Sequence, residues 1–335
     1  MMTTKRVNPT VLIALLACAG LTTLLATRSL RAAAQPKKIV IGMVAKSQSN
    51  TVFQAAYAGA KDAAKELGAK YGVEVTIDWR TPTDENAQKQ AEALEALVGA
   101  NVAGIAVSCS EGRTLTPAIN LAAQRDIPVI CFDSDAARSK RFAYYGTDDT
   151  TCGKLVMQEL AKAMGDKGTV AILAGNQSAP NLQARVKAVK DELKNHPNMK
   201  LLEAGGGVFY HKETPEKAAE AVASAQSANP EIEGWALIGG WPLFTKNALK
   251  WEPGSVKVVS VDALPAQIPY VQQGYVEALY AQDCYGWGHK SVEILLEKIV
   301  NGKDPESKRI IDPLTRVTKE NADEYMKNWN KWLGK

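Results

Sequence analysis

Acidic and polar residues stand directly after one apolar run of the sequence. The run Val129–Phe132 is followed by Asp133, Ser134 and Asp135. Open parallel sheets bind their ligands outside the carboxyl ends of the strands. A carboxylate at such an end accepts two hydrogen bonds, as the vicinal hydroxyls of a sugar require. The alternative is that Asp133 only caps the following segment, because Asp is common after strands.

The common catalytic motifs are absent from the sequence. It contains no G-x-S-x-G elbow, no Walker loop, no H-E-x-x-H and no G-x-G-x-x-G after a strand. A pair of catalytic carboxylates among Asp133, Asp135 and Asp262 stays open in principle. The sequence therefore predicts a protein that is not an enzyme and that uses no cofactor.

The cysteines after the N-terminal segment have no C-x-x-C spacing. They are Cys109, Cys131, Cys152 and Cys284. With only three histidines in the chain, this spacing argues against a zinc site. Cys109 and Cys131 fall at the ends of two strands that we expect to be neighbours, so a disulfide is conceivable in an exported protein. We favour the alternative that they are unpaired, buried thiols.

The first 34 residues have the pattern of a secretory signal peptide. Lys5 and Arg6 precede an apolar run over residues 11–26, and small residues end the segment at 32–34. The run is shorter than the ~20 residues of a membrane span. We expect a soluble, periplasmic chain that starts at Gln35. A lipoprotein anchored through Cys18 is the alternative.

The charge is balanced once that segment is removed. The chain has 40 Lys and Arg against 36 Asp and Glu, and the N-terminal segment holds four of the basic residues and none of the acidic ones. The remaining chain is neutral, which argues against binding to nucleic acid or to an anionic membrane surface. Its length of about 300 residues predicts two domains.

Short apolar runs alternate with amphipathic segments along the remaining chain. Strands are predicted at 39–45, 73–79, 102–108, 127–132, 169–174, 200–204, 234–238, 256–261, 276–281 and 309–311. Helices are predicted at 51–67, 84–99, 115–124, 150–164, 181–195, 215–228, 243–249, 263–273, 285–300 and 319–332. Apolar strands without alternation, each followed by a helix, predict an α/β fold of parallel sheets. The rhythm restarts after residue 146, which indicates two halves of similar plan.

Six short motifs occur in order along these elements. They are Asn50-Thr51-Val52-Phe53, Asp133, Tyr145-Gly146-Thr147-Asp148, Asn181 with Arg185, Val259-Ser260-Val261-Asp262 and Ala281-Gln282. This order resembles the ribose-binding-protein-like group, which are periplasmic sugar-binding proteins of ABC importers related to the sensor domain of LacI-type repressors. The resemblance spans about residues 39–311.

The resemblance implies an α/β fold of two doubly wound parallel-sheet lobes joined by a three-strand hinge, the type I periplasmic binding protein fold. The N-terminal lobe would comprise 35–147 and 283–311, and the C-terminal lobe 148–282 and 312–335. One sugar would bind in the cleft between the lobes, which closes on it. The resemblance also implies an ABC transporter permease of the inner membrane as partner, and we expect a monomer.

Ligand contacts follow from the resemblance position by position. Polar contacts are expected from Asn50, Asp133, Arg185, Asp262 and Gln282, and an aromatic wall from Phe53. Two departures from the ribose binders add further candidates. The run Asp133, Ser134, Asp135 looks more like the rhamnose- and autoinducer-type members. At the strand end where an Asn is expected, the chain has Gly239-Gly240-Trp241, and Trp241 could stack on the ligand in place of another aromatic residue.

Several of these residues have a purely structural alternative. Asn50 can cap the helix at 51–67, and Phe53 can belong to the core. Arg185 can form an ion pair on its helix, and Trp241 beside Pro242 can be a packing residue.

An importer's binding protein is the function that the sequence favours. A sensory partner that presents its sugar to a membrane receptor would use the same cleft. An exported carbohydrate-active enzyme is the alternative from a different class, and product release from glycosides would distinguish it from a binder. The signal peptide and the absence of a helix-turn-helix exclude a transcription regulator.

Overall fold

The described part of the chain is residues 37–332 of a computed structural model. The predicted signal peptide, the start at Gln35 and the alternative lipid site at Cys18 lie outside this part. The last residues of the predicted C-terminal lobe, 333–335, also lie outside it.

The strands of the described chain form two sheets. They are β1 (Lys37–Val44), β2 (Val73–Trp79), β3 (Gly104–Val107), β4 (Val129–Phe132), β5 (Ala143–Gly146), β6 (Gly168–Ala174), β7 (Met199–Leu201), β8 (Val208–Tyr210), β9 (Gly234–Leu237), β10 (Lys257–Val261), β11 (Ala278–Ala281), β12 (Arg309–Ile311) and β13 (Thr315–Val317). Helices alternate with them along most of the chain. They are α1 (Thr51–Tyr71), α2 (Ala87–Gly99), α3 (Gly112–Gln124), α4 (Asp149–Met164), α5 (Pro180–Leu193), α6 (Pro215–Ala228), α7 (Ile268–Gln272), α8 (Cys284–Asn301) and α9 (Ala322–Trp332).

The first sheet has six strands in the order β12-β5-β4-β3-β1-β2. The pairs β1–β3, β3–β4, β4–β5 and β5–β12 are all parallel. The central strands β3, β4 and β5 are buried along their whole length, because helices cover both faces of a parallel sheet. This explains why β3 and β4 have continuous apolar sequences.

The second sheet repeats this plan with the order β13-β11-β10-β9-β6-β7, and β8 also pairs with β6. Its pairs are parallel except for β13, which runs antiparallel to β11 at the edge. The predicted fold class of two doubly wound parallel-sheet lobes is confirmed.

The chain passes between the two sheets three times. It leaves the first sheet after β5, returns to it after β11 through α8 and β12, and leaves it again to form β13. The first lobe is therefore assembled from two separate stretches of sequence. The exact residues of the lobe boundaries stay a prediction.

Helices α1 and α8 cross in close contact on the first lobe. A Cβ atom at Gly288 would lie 1.7 Å from the carbonyl oxygen of Ala56, and one at Gly59 would lie 2.1 Å from that of Tyr285. Glycine at both positions allows the two backbones to approach, which fixes the returning segment against the first lobe.

The predicted helix over residues 243–249 is wrong. The chain forms a 3-10 turn at Trp241–Phe244 instead. Pro242 is accepted there because the first turn of a helix needs no N–H donor from it. Asn247 then has a φ of 56°, and this left-handed conformation is incompatible with a continuing α-helix.

The segment around the three consecutive glycines also differs from the prediction. The strand expected at 200–204 ends at Leu201, and Gly205, Gly206 and Gly207 have φ values of 63°, 66° and 68°. Only glycine adopts such a run without strain. The glycines turn the chain into β8. Like β5 and β13, this strand was not predicted.

The final amphipathic segment docks on the body, as its pattern predicts. Trp329 of α9 is 1% exposed, and the Trp332 ring stacks on Tyr285 of α8 with a centroid distance of 5.7 Å. Helix α9 therefore secures the returning segment.

The cysteines of the described chain are all buried and free. The conceivable disulfide between Cys109 and Cys131 is not formed. The structure contains unpaired thiols, which is the alternative that we favoured. No helix among residues 37–332 combines the length and the apolar character needed to cross a membrane.

Candidate functional site

Two buried aspartates occupy equivalent places in the two lobes. Asp133 follows β4 and Asp262 follows β10, and their φ values are 56° and 66°. Aspartate is one of the few residues that tolerate this left-handed conformation, because its short side chain can bond locally. The turn that each aspartate makes holds a carboxylate at the carboxyl end of its sheet, where such folds bind ligands.

Asp133 joins the two lobes through its carboxylate. Ser108, at the end of β3, donates its hydroxyl to Oδ2 at 2.6 Å. Asn181 of α5, in the second lobe, donates its side-chain amide to Oδ1 at 3.2 Å. The ammonium of Lys46 lies 3.7 Å from Oδ2. Donors from both lobes therefore converge on one carboxylate.

Lys46 is a site residue that the sequence reasoning missed. It follows β1 and is 3% exposed. Although burial alone would lower its pKa, the carboxylates of Asp133, Glu213 and Glu85 raise it, so the side chain stays charged. Its nearest acceptors are Asn181 Oδ1 at 3.4 Å and Asp133 at 3.7 Å. These contacts are long for a charge-assisted hydrogen bond, which leaves the ammonium able to donate to a ligand oxygen.

Asp262 is held by donors of its own lobe. Gln282, directly after β11, donates to Oδ1 at 2.8 Å. The backbone N–H of Gly240 donates to Oδ2 at 3.1 Å. Burial raises the pKa of Asp262, while Arg185 and these hydrogen bonds act in the opposite direction.

Arg185 connects three elements of the second lobe. Its guanidinium donates to the side-chain oxygen of Gln282 at 2.8 Å, to Asp149 at 2.9 Å and to the carbonyl of Ile238 at 3.2 Å. Burial raises the pKa of Asp149, and the positive charge of Arg185 opposes that rise. The planar fork of arginine suits this role, since its donors have a fixed geometry. The arrangement orients Gln282 towards Asp262.

A second contact between the lobes lies beside Lys46. The amide of Asn176, after β6, donates to Glu85 of the first lobe at 3.2 Å. The backbone N–H of Asn176 donates to Glu213 at 3.0 Å. Burial raises the pKa of Glu213 to about 8, and Lys46 opposes that rise. The two lobes thus touch through polar side chains.

Three further predicted ligand contacts, Asn50, Phe53 and Trp241, have different structural surroundings. Asn50 accepts a hydrogen bond from the backbone N–H of Val52 at 3.2 Å and so caps α1. Phe53 is 3% exposed and lies 6.0 Å from the Trp287 ring. Trp241 is buried beside the turn that carries Gly240. The structural alternatives for Asn50 and Phe53 are therefore realised, and their contacts with a ligand stay a prediction.

Asp135 and Ser134 do not share the hydrogen-bond partners of Asp133. Arg141 binds both oxygens of Asp135, one of them at 2.6 Å, and Arg309 lies 4.0 Å from it. The hydroxyl of Ser134 is buried and has no hydrogen-bond partner among the described residues. Their roles as ligand contacts also stay a prediction.

A crevice of about 760 Å³ opens beside the buried cluster. Its walls come from both lobes and include Asp135, Asp149, Asn181 and Arg309. The crevice is large enough for a monosaccharide, and Asp149 and Asn181 connect it to the residues described above.

A family model described as a periplasmic binding protein domain matches residues 41–304. The chain belongs to this family. The match covers both lobes of this periplasmic binding protein and the return through α8. It confirms the resemblance that the six sequence motifs indicate.

Relatives with a stated ligand share about a quarter of the residues of this periplasmic binding protein. A D-ribose/D-allose-binding protein of Pseudomonas aeruginosa is 25% identical over 286 residues, which cover 82% of this chain and 86% of the relative. The crystal structure of an ABC transporter solute-binding protein from Burkholderia graminis, in complex with D-arabinose, is 26% identical, with a TM-score of 0.77 and coverage of 85% and 96%. A glucose-galactose binding protein from Geobacillus stearothermophilus is also 26% identical, with a TM-score of 0.75 and coverage of 85% and 99%.

These relatives are sugar-binding and solute-binding proteins. The prediction of a ribose-binding-like, sugar-binding ABC solute-binding protein that is not an enzyme is confirmed. The described residues contain no group of three or more His, Cys, Asp and Glu side chains arranged to hold a metal ion.

Most site residues predicted for this periplasmic binding protein end strands, with Arg185 on α5 as an exception, but some residues that meet them were missed. Asp133, Asp262 and Gln282 follow apolar runs directly. Lys46 ends the first apolar run in the same way, and that signal could have identified it. Ser108 ends the apolar run of β3 and carries the same signal. Asp149 carries no comparable signal, since only the fold brings it to Arg185.

Proposed function

We propose that this protein is the periplasmic substrate-binding protein of an ABC transporter and that it binds a neutral monosaccharide or a related polyol in its cleft. The observation that carries the proposal is the buried polar cluster between the two sheets. Asp133, Lys46 and Asn181 meet across the cleft, and Asp262 and Gln282 meet at its far side. Such acceptors and donors match the alternating hydroxyl groups of a sugar.

The charges of the cluster favour a neutral ligand. Asp133, Asp149 and Asp262 are carboxylates, and they face the two cations Lys46 and Arg185. An anionic ligand such as a sugar phosphate needs an excess of positive charge around it. The cluster offers no such excess, whereas hydroxyl groups can both donate to the carboxylates and accept from the cations.

The same residues support closure of the lobes on the ligand. A sugar that contacts Asp133 in the first lobe and Asp262 in the second binds the closed form better than the open one. It shifts the equilibrium by that difference in affinity. The closed form is then the shape that the permease of the inner membrane recognises. We further propose that the chain is exported, starts at Gln35 and acts in the periplasm as a monomer.

Titration calorimetry against a panel of neutral sugars and polyols tests the proposal. The panel contains D-ribose, D-allose, D-arabinose, D-galactose, D-glucose, xylitol and myo-inositol, with ribose 5-phosphate and glucuronate as anionic controls. We expect at least one neutral compound to bind with a 1:1 stoichiometry and to be recovered unchanged, while the anionic controls do not bind.

Two results would overturn the proposal. One is binding of an anionic control in preference to every neutral compound. The other is conversion of the bound compound to a product, which would favour an enzyme. A Lys46→Met variant is the internal control for the location of the site, because it removes the ammonium at the centre of the cluster but keeps a side chain of similar length.

A further inference from the structure

The C-terminal lobe contains a histidine whose ring has a defined proton position. His211 follows β8, and its backbone N–H donates to the carbonyl of Ala174 at 3.1 Å. Its Nδ1 lies 2.6 Å from the carbonyl oxygen of Lys212. A carbonyl oxygen only accepts hydrogen bonds, so Nδ1 must carry the proton. In a neutral ring Nε2 is then an acceptor with a free lone pair.

That lone pair has no hydrogen-bond partner in the described part of the chain. Nε2 of His211 is buried and makes no hydrogen bond to any residue in the range 37–332. Burial lowers the pKa of His211, and the contact with the Lys212 carbonyl only partly opposes this, so the ring is neutral at pH 7. A buried acceptor without a donor costs free energy. A donor from outside the chain would satisfy this acceptor.

The ring lies at the edge of the sheet that forms the cleft. Its edge contacts Trp241, with a centroid distance of 5.2 Å and an interplanar angle of 73°. Trp241 follows Gly240, which binds Asp262. Glu213, two residues after the histidine, accepts the backbone N–H of Asn176. His211 therefore lies among residues that contact the Asp262 side of the cleft and the contact between the lobes.

We propose that His211 is a specificity-determining residue that accepts a hydrogen bond at Nε2 from one hydroxyl group of the bound sugar, beside the wall formed by Trp241. This inference rests on the proposed function and adds a requirement to it. The ligand must present a hydroxyl group at this point. A carbonyl, ether or carboxylate oxygen there has no proton to donate, and its lone pair would repel that of Nε2. The class of ligand is thus a neutral polyhydroxy compound with an obligatory hydroxyl facing His211.

Nitrogen NMR of the histidine rings tests the proposal. The chain has three histidines, and the other two serve as controls. His289 pairs with Glu66. His196 pairs with Asp166 through Nδ1, and its Nε2, like that of His211, is buried without a hydrogen-bond partner among the described residues, so it shows whether an unpartnered ring nitrogen alone responds to the sugar. We use the tightest binder of the neutral panel at saturation. We expect the Nε2 signal of His211 to move towards the position of a protonated ring nitrogen, as it does when a lone pair accepts a hydrogen bond. The signals of His196 and His289 should not change.

A cycle of variants and deoxy compounds identifies the hydroxyl group. His211→Phe keeps an aromatic edge for Trp241 but removes the acceptor, and we expect it to weaken binding at least about tenfold. His211→Gln places an amide oxygen near the position of Nε2 and should restore part of that loss. Each monodeoxy form of the sugar lacks one hydroxyl group. The form that lacks the hydroxyl facing His211 should bind weakly to the wild type, and His211→Phe should not weaken its binding further. Thermal unfolding establishes that both variants are folded.

The possible results separate this proposal from the proposed function. If a sugar binds but the Nε2 signal stays in place, or His211→Phe binds as tightly as the wild type, the role of His211 is overturned and the function stands. If no neutral compound of the panel binds, the proposed function fails and the role of His211 fails with it.

Discussion

Asp133 and Asp135 follow the same strand, but they have different partners. Asp133 is bound by Ser108 and by Asn181 of the other lobe, whereas both oxygens of Asp135 are bound by Arg141. We expect Asp133→Asn to weaken sugar binding by about 1–3 kcal/mol, because a buried charge-assisted contact is lost. Asp135→Asn should cost about 1 kcal/mol or less. Calorimetry with the tightest sugar of the panel measures both.

These two variants form a matched pair, since each replaces a carboxylate by an amide of the same shape. Equal losses would mean that Asp135 contacts the ligand, as the sequence predicts. Wild-type affinity in Asp133→Asn would contradict its assignment as a ligand acceptor.

Glu213 gives the protein a pH dependence of definite sign. Burial raises its pKa to about 8 in the folded protein, compared with about 4.3 in an unfolded chain. A group with a raised folded pKa stabilises the fold below its unfolded pKa, and this contribution is lost as the pH rises through the folded pKa. We therefore expect stability to fall between pH 5 and pH 8, and Glu213→Gln to reduce that fall. Urea unfolding at both pH values measures it.

Glu216→Gln is the control for this prediction, because Glu216 lies on α6 and is exposed. It should leave the pH dependence as in the wild type. A Glu213→Gln variant whose stability falls as steeply as that of the wild type would show that Glu213 is not the group responsible.

At the scale of elements, the stability of the first lobe depends on the close packing of helices α1 and α8. A Cβ atom at Gly288 would lie 1.7 Å from the backbone oxygen of Ala56, and backbone cannot move aside as a side chain can. We expect Gly288→Ala to lower the free energy of unfolding by about 1–3 kcal/mol or more. Gly99→Ala is the matched control, because a Cβ there meets no atom within 4 Å, and it should gain up to about 1 kcal/mol. Thermal unfolding compares them.

The boundaries of helices and strands are predictable where the sequence pattern has clear ends. The boundaries of β2 and α6 are as predicted, because an apolar run or a helical stripe with clear ends determines each of them. The predicted helix at 243–249 fails because Asn247 is left-handed, and a residue pattern does not carry that information. The site follows the same rule. Asp262 ends a strand and was found, but Asp149 begins a helix and belongs to the site only because α5 brings Arg185 to it.

At the scale of the whole molecule, polar contacts between the lobes determine how easily the cleft opens. The amide of Asn176 donates to Glu85 of the other lobe at 3.2 Å. We expect Glu85→Ala and Asn176→Ala each to weaken sugar binding, with a coupling of about 0.5–1.5 kcal/mol between them.

Small-angle scattering should show a smaller radius of gyration with the sugar than without it. An unchanged radius at saturation would mean that the lobes do not close.

The return of the chain through α8 and β12 has a consequence for the order of folding. Ile310 pairs with Tyr145, so the first sheet is complete only after the whole second sheet, except its edge strand β13, has been synthesised. Folding slows when contacts join residues distant in sequence, because a long loop must close before those contacts form. Strands β6, β9, β10 and β11 lie within one continuous stretch. In pulsed hydrogen exchange during refolding, their amides should be protected before those of β4 and β5, so the lobe that begins the chain finishes folding last.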